Sequence, residues 1–284
     1  MRHITALTAP EMRGRAFGSD GGKLARQYVT RQLQIAGASS LGAWEQPFGT
    51  EKSDGANVVG IIGGTENGAI VLGAHFDHLG ERDGDVFHGA EDNASGVAVV
   101  LEVARVLVAR RSELKRSIVV ALFDGEEAGM LGSRAFVAKP PIARDRIKVM
   151  VNVDMIGRPT IDQEALALPK TALGIQDDAS VGLVGTKDRP ELRKIVDQAC
   201  AAEKLEAIAV EDLPAPIASV VEKYAQNRGD NASFEAVGIP AIFLGSGESD
   251  DYHKPTDTKE KLDAPLMTRR ARMIVRLLLA LSQG

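Results

Sequence analysis

The chain has 284 residues, of which 44% are hydrophobic, and a formal net charge of −5 at pH 7. This length and composition suit one large α/β domain or two small ones with a real hydrophobic core. The mild acidity provides no basic surface for nucleic acid or an anionic membrane, and no apolar run approaches the roughly 20 residues that span a bilayer. We therefore expect a globular protein without nucleic-acid or membrane partners. The composition does not indicate its oligomeric state.

Helical and extended patterns alternate along the chain. Apolar residues recur at helical spacing in residues 21–37, and this pattern stops at a glycine. Similar spacing predicts further helices over residues 94–110, 189–205 and 265–282. Short apolar runs rich in β-branched residues predict strands over 57–64, 69–74, 117–123, 148–154, 181–185 and 239–245.

The alternation predicts a three-layer α/β/α sandwich around a mostly parallel, mixed sheet. A glycine-rich turn at residues 63–68 joins two of the strands and suggests that they are neighbours in the sheet. The irregular, polar segment from Arg158 to Ser180 predicts a loop or a lid. In open sheets of this kind, ligands bind beyond the carboxyl ends of the strands, so we expect the site at that edge.

Acidic side chains, histidines and one tyrosine stand at the carboxyl ends of four predicted strands and before one predicted helix. They are His75, Asp77, Glu126, Glu127, Asp154, Tyr252 and His253 after strands, and Asp92 before the helix over residues 94–110. If the sheet is as predicted, these groups converge on one edge although most of the chain separates them.

Nitrogen and oxygen donors without cysteine suit zinc, with cobalt or manganese as substitutes. The candidate ligands are His75, Asp92, Glu127, Asp154 and His253. A single catalytic zinc takes three protein ligands, whereas five suit two ions about 3.5–4 Å apart that share a carboxylate. Three carboxylates and a bridging hydroxide balance the charge of two divalent ions, which favours a partly buried site.

Two further carboxylates stand beside these candidate ligands. Asp77 follows His75 at a spacing of two, so in extended backbone both side chains point the same way and the carboxylate can orient the imidazole. Glu126 precedes Glu127, and a carboxylate beside a metal-activated water can take its proton and pass it to a leaving amine.

Six motifs resemble, in order and approximate spacing, those of the bacterial zinc aminopeptidases, a family of exopeptidases with two co-catalytic zinc ions. They are GAHFDHLG (73–80), HGAEDNASG (88–96), FDGEEAGMLGSRAF (123–136), NVDMIGR (152–158), RGDNASFEAVGIPA (228–241) and YHKPTDT (252–258). The resemblance covers nearly the whole chain. Relatives of this family include glutamate carboxypeptidase, glutaminyl cyclases and the transferrin-receptor ectodomain.

The resemblance implies a role for each candidate ligand. His75, Asp92 and Asp154 are expected to hold one zinc ion. Asp92, Glu127 and His253 are expected to hold the second, so that Asp92 bridges the two ions. The resemblance also implies one catalytic domain over residues 1–284, without an inserted protease-associated domain.

The resemblance further implies which groups react. Glu126 is expected to be the general base, and Asp77 is expected to orient His75. Tyr252 is expected to bind substrate by donating a hydrogen bond to the developing oxyanion. Arg228 resembles a substrate-contacting arginine of some members. A cis peptide bond is expected between Asp92 and Asn93.

The chain departs from the family's pattern in two motifs. Glu91 stands where the family commonly has aspartate, and we keep the bridge at Asp92. The sequence RGDN at residues 228–231 replaces the more usual serine–aspartate–histidine. Two roles therefore stay open for Asp230: it supports the site from behind, or its side chain forms a turn with the backbone.

Several polar residues within these motifs match no ligand position. We expect His78 and His88 to be polar loop residues at the mouth of the cleft. The sequence TDT at residues 256–258 is expected to cap a helix that precedes Leu262.

The function that the resemblance implies is a metal-dependent aminopeptidase, which removes the N-terminal residue of a peptide through a hydroxide that bridges the metal ions. A carboxypeptidase or dipeptidase, a glutaminyl cyclase and a non-catalytic binding domain stay open as alternatives. Family members are mostly exported, and the abrupt start of the sequence suits a trimmed leader. We therefore expect a periplasmic or secreted protein, with the cytoplasm as the alternative.

Overall fold

The computed structural model describes residues 1–51, 53–160, 162–164, 179–215, 218 and 229–284. The strands are β1 Ser39–Gly49, β2 Asp54–Ile62, β3 Ala69–His75, β4 Gly80–Arg82, β5 Asp85–Phe87, β6 Ser117–Phe123, β7 Ile147–Val153, β8 Ser180–Val184, β9 Glu206–Ala209 and β10 Ala241–Gly245. The α-helices within these residues are α1 Arg2–Leu7, α2 Asp20–Ala36, α3 Gly96–Ala109, α4 Leu131–Ala138, α5 Pro190–Ala202, α6 Asn231–Glu235 and α7 Ala264–Gln283. In this part of the chain no helix is long and apolar enough to cross a membrane.

Eight strands form one mixed sheet in the order β1-β2-β6-β3-β7-β10-β8-β9, and β4 pairs with β5 in a separate hairpin. The central strands β6, β3, β7 and β10 run parallel to one another. The pairs β1–β2, β2–β6 and β10–β8 are antiparallel. Every residue of β3 and β6 is buried, as the continuous apolar runs predict for strands covered on both faces. The predicted fold class is confirmed.

The expected pairing of β2 with β3 is wrong, because β6 lies between them. Val59 of β2 pairs with Ala121 of β6, and Val71 of β3 pairs with Val119 of β6. The turn at residues 63–68 therefore crosses one intervening strand, a distance of about 10 Å at roughly 4.8 Å per strand. This arrangement gives the fully buried strands β3 and β6 a neighbour on each side.

Helices cover both faces of the sheet. Ile70 and Leu72 of β3 belong to a core cluster that includes residues of α2, α3, α5 and α7. Val71, between them, points to the opposite face and belongs to a second cluster with Phe136 of α4 and Phe234 of α6. Alternate residues of β3 thus pack into two separate cores, one on each face of the sheet. The sheet and the helices on its two faces form the three layers.

The parallel strands β3, β6, β7 and β10 end at the same edge of the sheet. Buried Arg15 ties the loops of this edge to the N-terminal segment. Its guanidinium donates to the carbonyl oxygens of Phe76 at 2.9 Å, His88 at 2.6 Å, Gly89 at 2.9 Å and Leu7 at 2.9 Å. Burial lowers the pKa of Arg15 to about 10, which leaves it charged at neutral pH.

Replacing Arg15 by methionine is expected to lower the free energy of unfolding by about 3 kcal/mol or more, because buried carbonyl groups lose their donor. Arg13→Met is the control, since its side chain is 65% exposed and forms an ion pair with Glu81 on the surface, where such pairs contribute little to stability. Both arginines have a positive φ, 46° and 53°, so backbone strain is matched. Urea denaturation followed by circular dichroism measures both variants. Equal losses would show that Arg15 does not hold this edge.

Candidate metal centre

The five predicted ligands lie together at the carboxyl edge of the sheet. His75 ends β3, and Asp154 directly follows β7. Glu127 follows β6, Asp92 precedes α3, and His253 lies in the segment after β10. The side chains of the first four are at most 10% exposed, and that of His253 is 34% exposed. The parallel topology therefore brings together groups that are far apart in sequence.

The contacts divide these side chains into two sets that share one carboxylate. His75 Nε2 lies 3.3 Å from Asp92 Oδ1 and 3.3 Å from Asp154 Oδ1. His253 Nε2 lies 3.1 Å from Asp92 Oδ2 and 3.1 Å from Glu127 Oε2. Ligand bonds of about 2.1 Å place neighbouring donor atoms roughly 3–3.5 Å apart, so each set fits around one ion. The two oxygens of Asp92 face different sets, as a bridging carboxylate must.

The hydrogen-bond geometry also fits a metal centre. His253 Nε2 is buried and lies close to two carboxylate oxygens, yet it has no aligned hydrogen-bond partner among the described residues. Glu127 Oε1 is also buried and has no aligned hydrogen-bond partner among the described residues. Buried polar atoms are rarely left in this way, whereas metal ligands point at the ion and not at one another.

The neighbouring charges in the cluster determine which of its side chains are protonated. Burial disfavours the charged imidazolium of His253, but Asp92 and Glu127 outweigh burial and raise its pKa to about 10. Burial also favours the neutral acid at Asp92, but His253 and His75 hold its pKa well below the ordinary value. The histidines therefore carry protons when only carboxylates face them. Metal binding has to displace those protons, so metal affinity is expected to rise with pH.

Asp77 makes different contacts from those expected. Its carboxylate accepts hydrogen bonds from the backbone N–H groups of Glu126 at 3.0 Å and Glu127 at 3.2 Å. That carboxylate is 3.7 Å from His75 Nδ1, too far for a hydrogen bond. His75 Nδ1 instead lies 3.2 Å from the main-chain carbonyl oxygen of Asp77. The side chain of Asp77 therefore supports the segment that carries Glu126 and Glu127. Its backbone carbonyl group contacts His75.

Glu126 and Tyr252 lie beside the two sets. The side chain of Glu126 is 16% exposed, and its Oε2 is 4.0 Å from His75 Nε2. Burial raises the pKa of Glu126 well above its ordinary value, which favours uptake of a proton. The ring of Tyr252 stacks on that of His253, with centroids 3.8 Å apart. Burial raises the pKa of Tyr252, so its hydroxyl keeps the proton that a hydrogen-bond donor needs.

The segment around Asp92 is held by groups outside the metal-ligand sets. The peptide bond between Asp92 and Asn93 is cis, as the resemblance implied. Glu91 turns away from the cluster, where its carboxylate accepts from Gly157 N at 2.9 Å and from Ser246 Oγ at 2.6 Å. The placement of the shared carboxylate at Asp92 rather than Glu91 fits these contacts.

Asp257 does not cap a helix as expected. Its carboxylate accepts from the backbone N–H groups of Glu91 at 2.9 Å and Asp92 at 3.1 Å. The short 3₁₀ turn at Lys259–Lys261 has no side-chain cap. Asp257, four residues after His253, therefore ties the loop of one predicted ligand to the loop of another. No sequence signal distinguished this role from a helix cap.

The expectation for His78 is also wrong. Its side chain is fully buried, and its Nδ1 lies 2.8 Å from Glu127 Oε1. Arg15 holds the loop after β3 at two points: its guanidinium donates to Phe76 O, and its carbonyl oxygen accepts from His78 N at 3.2 Å. His88 is half-buried.

Two expectations fall outside the described residues. Arg228, the proposed substrate contact, is one of them. The predicted loop or lid from Arg158 to Ser180 is described only at residues 158–160, 162–164 and 179–180. Asp230, two residues after Arg228 in the sequence, is buried, and its pKa is raised to about 7 mainly by burial. It begins α6 without a side-chain cap.

Known proteins resemble this chain in sequence and in fold. "Leucine aminopeptidase 1" of Sclerotinia sclerotiorum is 26% identical over 299 residues, which cover 99% of this chain and 70% of the relative. The crystal structure of the LapA aminopeptidase of Legionella pneumophila superposes with a TM-score of 0.74 at 21% identity, over 100% of this chain and 71% of that one. The glutaminyl cyclase of Porphyromonas gingivalis gives 0.72 at 19% identity, over 97% and 96%.

At such identities the structural likeness establishes the fold alone. The family is established by a separate comparison, in which residues 57–278 match the model of "Peptidase family M28". That span begins in β2, ends in α7 and contains every predicted metal ligand. The resemblance drawn from the six motifs is confirmed: the chain belongs to peptidase family M28.

Proposed function

We propose that this metal-dependent aminopeptidase removes the N-terminal residue of peptides with two zinc ions bound at the candidate centre. One observation carries the proposal. Asp92 presents its two oxygens to two different histidines, and each histidine has a second carboxylate at 3.1–3.3 Å. A mononuclear centre has no need of such a shared carboxylate.

The residues that would hold the ions follow from the two sets. His75, Asp92 and Asp154 would hold the first ion. Asp92, Glu127 and His253 would hold the second. When bound, a pair of divalent ions lowers the pKa of water toward about 7 and polarises a carbonyl group. Nitrogen and oxygen donors suit zinc, and they also accept cobalt or manganese.

The remaining residues of the centre move protons and stabilise charge. Glu126 accepts the proton of the attacking water and then donates it to the departing amine, a use that its raised pKa favours. Tyr252 donates its hydroxyl proton in a hydrogen bond to the oxygen that becomes negative. Asp77 keeps the backbone of Glu126 in place. We propose Arg228 as a further contact to the substrate.

The similarity to leucine aminopeptidases supports a substrate with a free N-terminus. With both ions bound, the metal charge would balance the three carboxylates of the metal-ligand sets, and Glu126 would stay as a negative group beside them. A carboxylate in that position favours a substrate amine over a substrate carboxylate, which disfavours carboxypeptidase action.

We further propose that residues 1–284 act as one catalytic domain without an inserted protease-associated domain. Eight strands, from β1 near the N-terminus to β10 near the C-terminus, form one sheet, which supports this. The resemblance to an exported family supports a periplasmic or secreted location, which cell fractionation tests.

A panel of aminoacyl anilides tests the activity. Leucyl-4-nitroanilide with a free amine is expected to be hydrolysed, and its N-acetylated form is expected to react at least about 100-fold more slowly, because acetylation removes the free amine that an aminopeptidase site binds. A chelator should abolish hydrolysis, and zinc should restore it. Equal rates for the two anilides would refute aminopeptidase action. Ammonia release from N-terminal glutaminyl peptides, without anilide hydrolysis, would identify a glutaminyl cyclase.

A further inference from the structure

The geometry points to His78 Nδ1 as an additional ligand of the ion that Asp92, Glu127 and His253 hold. This inference rests on the proposed function and deepens it, because it gives the second ion four protein donors and the first ion three.

His78 is placed with little freedom. Its side chain is fully buried, and its backbone is tied to Arg15. Gly89 lies directly against the imidazole: a Cβ atom at this position would be 2.5 Å from Cγ of the ring. Gly89 also has a φ of +56°, which other residues rarely adopt. The glycine at residue 89 therefore leaves space for the His78 ring. Together with the contact to Arg15, it fixes the direction of the ring nitrogens.

Glu127 lies between two histidines. Its Oε1 is 2.8 Å from His78 Nδ1, and its Oε2 is 3.1 Å from His253 Nε2. The two imidazole rings are 5.8 Å apart at an interplanar angle of 71°. His78 Nδ1 is also 3.7 Å from Asp92 Oδ2. His78 thus approaches the same two carboxylates as His253, which the family's pattern makes a ligand.

The contact between His78 and Glu127 is short but is not a hydrogen bond. Among the described residues, His78 Nδ1 and Glu127 Oε1 both lack an aligned partner, as does His253 Nε2. Four donors at about 2.1 Å in a tetrahedral arrangement lie roughly 3.4 Å apart. His78 Nδ1 lies 2.8 Å from Glu127 Oε1 and 3.7 Å from Asp92 Oδ2, and His253 Nε2 lies 3.1 Å from Asp92 Oδ2 and 3.1 Å from the other oxygen of Glu127. Both histidines thus approach the two carboxylates at separations of this order. His78, Asp92 and Glu127 place donor atoms within 4.8 Å of one another, as does the set of His75, Asp92 and Asp154.

The two ions would then differ in the room they leave for other ligands. Four protein donors complete a tetrahedral set, whereas three leave a position open. The more open set is that of His75, which lies 4.0 Å from Glu126. The proposed base therefore stands beside the ion with more space for a further ligand.

The test measures zinc affinity, not activity, with purified full-length chain and competing chelators. His78→Leu removes both nitrogens. His78→Asn keeps a donor that can hydrogen-bond Glu127 but is a poor zinc ligand. Both variants are expected to bind one of the two zinc ions at least about tenfold more weakly and the other unchanged. His88→Leu, in the same loop region, is the control and is expected to match the wild type.

Three outcomes overturn the inference. Wild-type affinity in both His78 variants would show that the residue only fills space. Wild-type affinity in His78→Asn alone would show that it only donates a hydrogen bond to Glu127. X-ray absorption at the zinc edge with the same imidazole count in wild type and His78→Leu would exclude ligation. If the wild-type chain bound no zinc at all, the proposed function itself would fail. Thermal unfolding in excess chelator confirms that each variant is folded.

Discussion

Glu126→Gln is expected to lower kcat on aminoacyl anilides by about 10²- to 10⁴-fold while both metal ions stay bound. The amide has nearly the same shape as the carboxylate but cannot take up a proton. Glu126 belongs to neither set of metal-ligand contacts: its Oε2 is 4.0 Å from His75 Nε2. The backbone N–H of residue 126 can still donate to Asp77, so the neighbouring Glu127 should not move.

Steady-state kinetics and metal analysis on the same preparation measure this prediction. Glu113→Gln is the control, since Glu113 pairs with Arg110 on the surface and is expected to leave both quantities unchanged. Turnover of Glu126→Gln at the wild-type rate would remove Glu126 as the base. Loss of metal in this variant would instead make it a ligand.

Asp92→Asn is expected to weaken the binding of both ions by about 100-fold or more and to abolish hydrolysis. Asp92 Oδ1 faces His75 and Asp92 Oδ2 faces His253, so one substitution removes a charged donor from both sets. Asp154→Asn alters only the first set and is expected to weaken one ion. A difference between the two variants is therefore the signature of a bridge.

Metal content after dialysis against a buffered zinc concentration measures both variants. Asp85→Asn, at the exposed first residue of β5, is the control and should retain the wild-type content. If Asp92→Asn lost only one ion, Asp92 would belong to a single set and the dinuclear arrangement would be wrong.

The sequence predicted the centre of the sheet better than its edges. β3 and β6 are buried along their whole length, so each is a continuous apolar run. β1 is an edge strand that is mostly half-buried or exposed, and its mixture of polar and apolar residues carries no such run. The order of β2, β6 and β3 depends on pairing between distant segments, which a short turn does not specify.

The candidate ligands were identifiable because they occupy strand ends and familiar motifs. Their supporting residues were harder to predict, because these act through the paths of loops. Asp257 contacts backbone groups 165 and 166 residues away. His78, which faces Glu127, is held by a backbone hydrogen bond to Arg15 and packs against Gly89. Neither contact leaves a local pattern in the sequence.

Anomalous diffraction at the zinc edge, from crystals of the chain grown with zinc, tests the central claim most directly. We expect two anomalous peaks, one among His75, Asp92 and Asp154 and the other among Asp92, Glu127 and His253. A single peak, or any of these five side chains turned away from both peaks, would contradict the account.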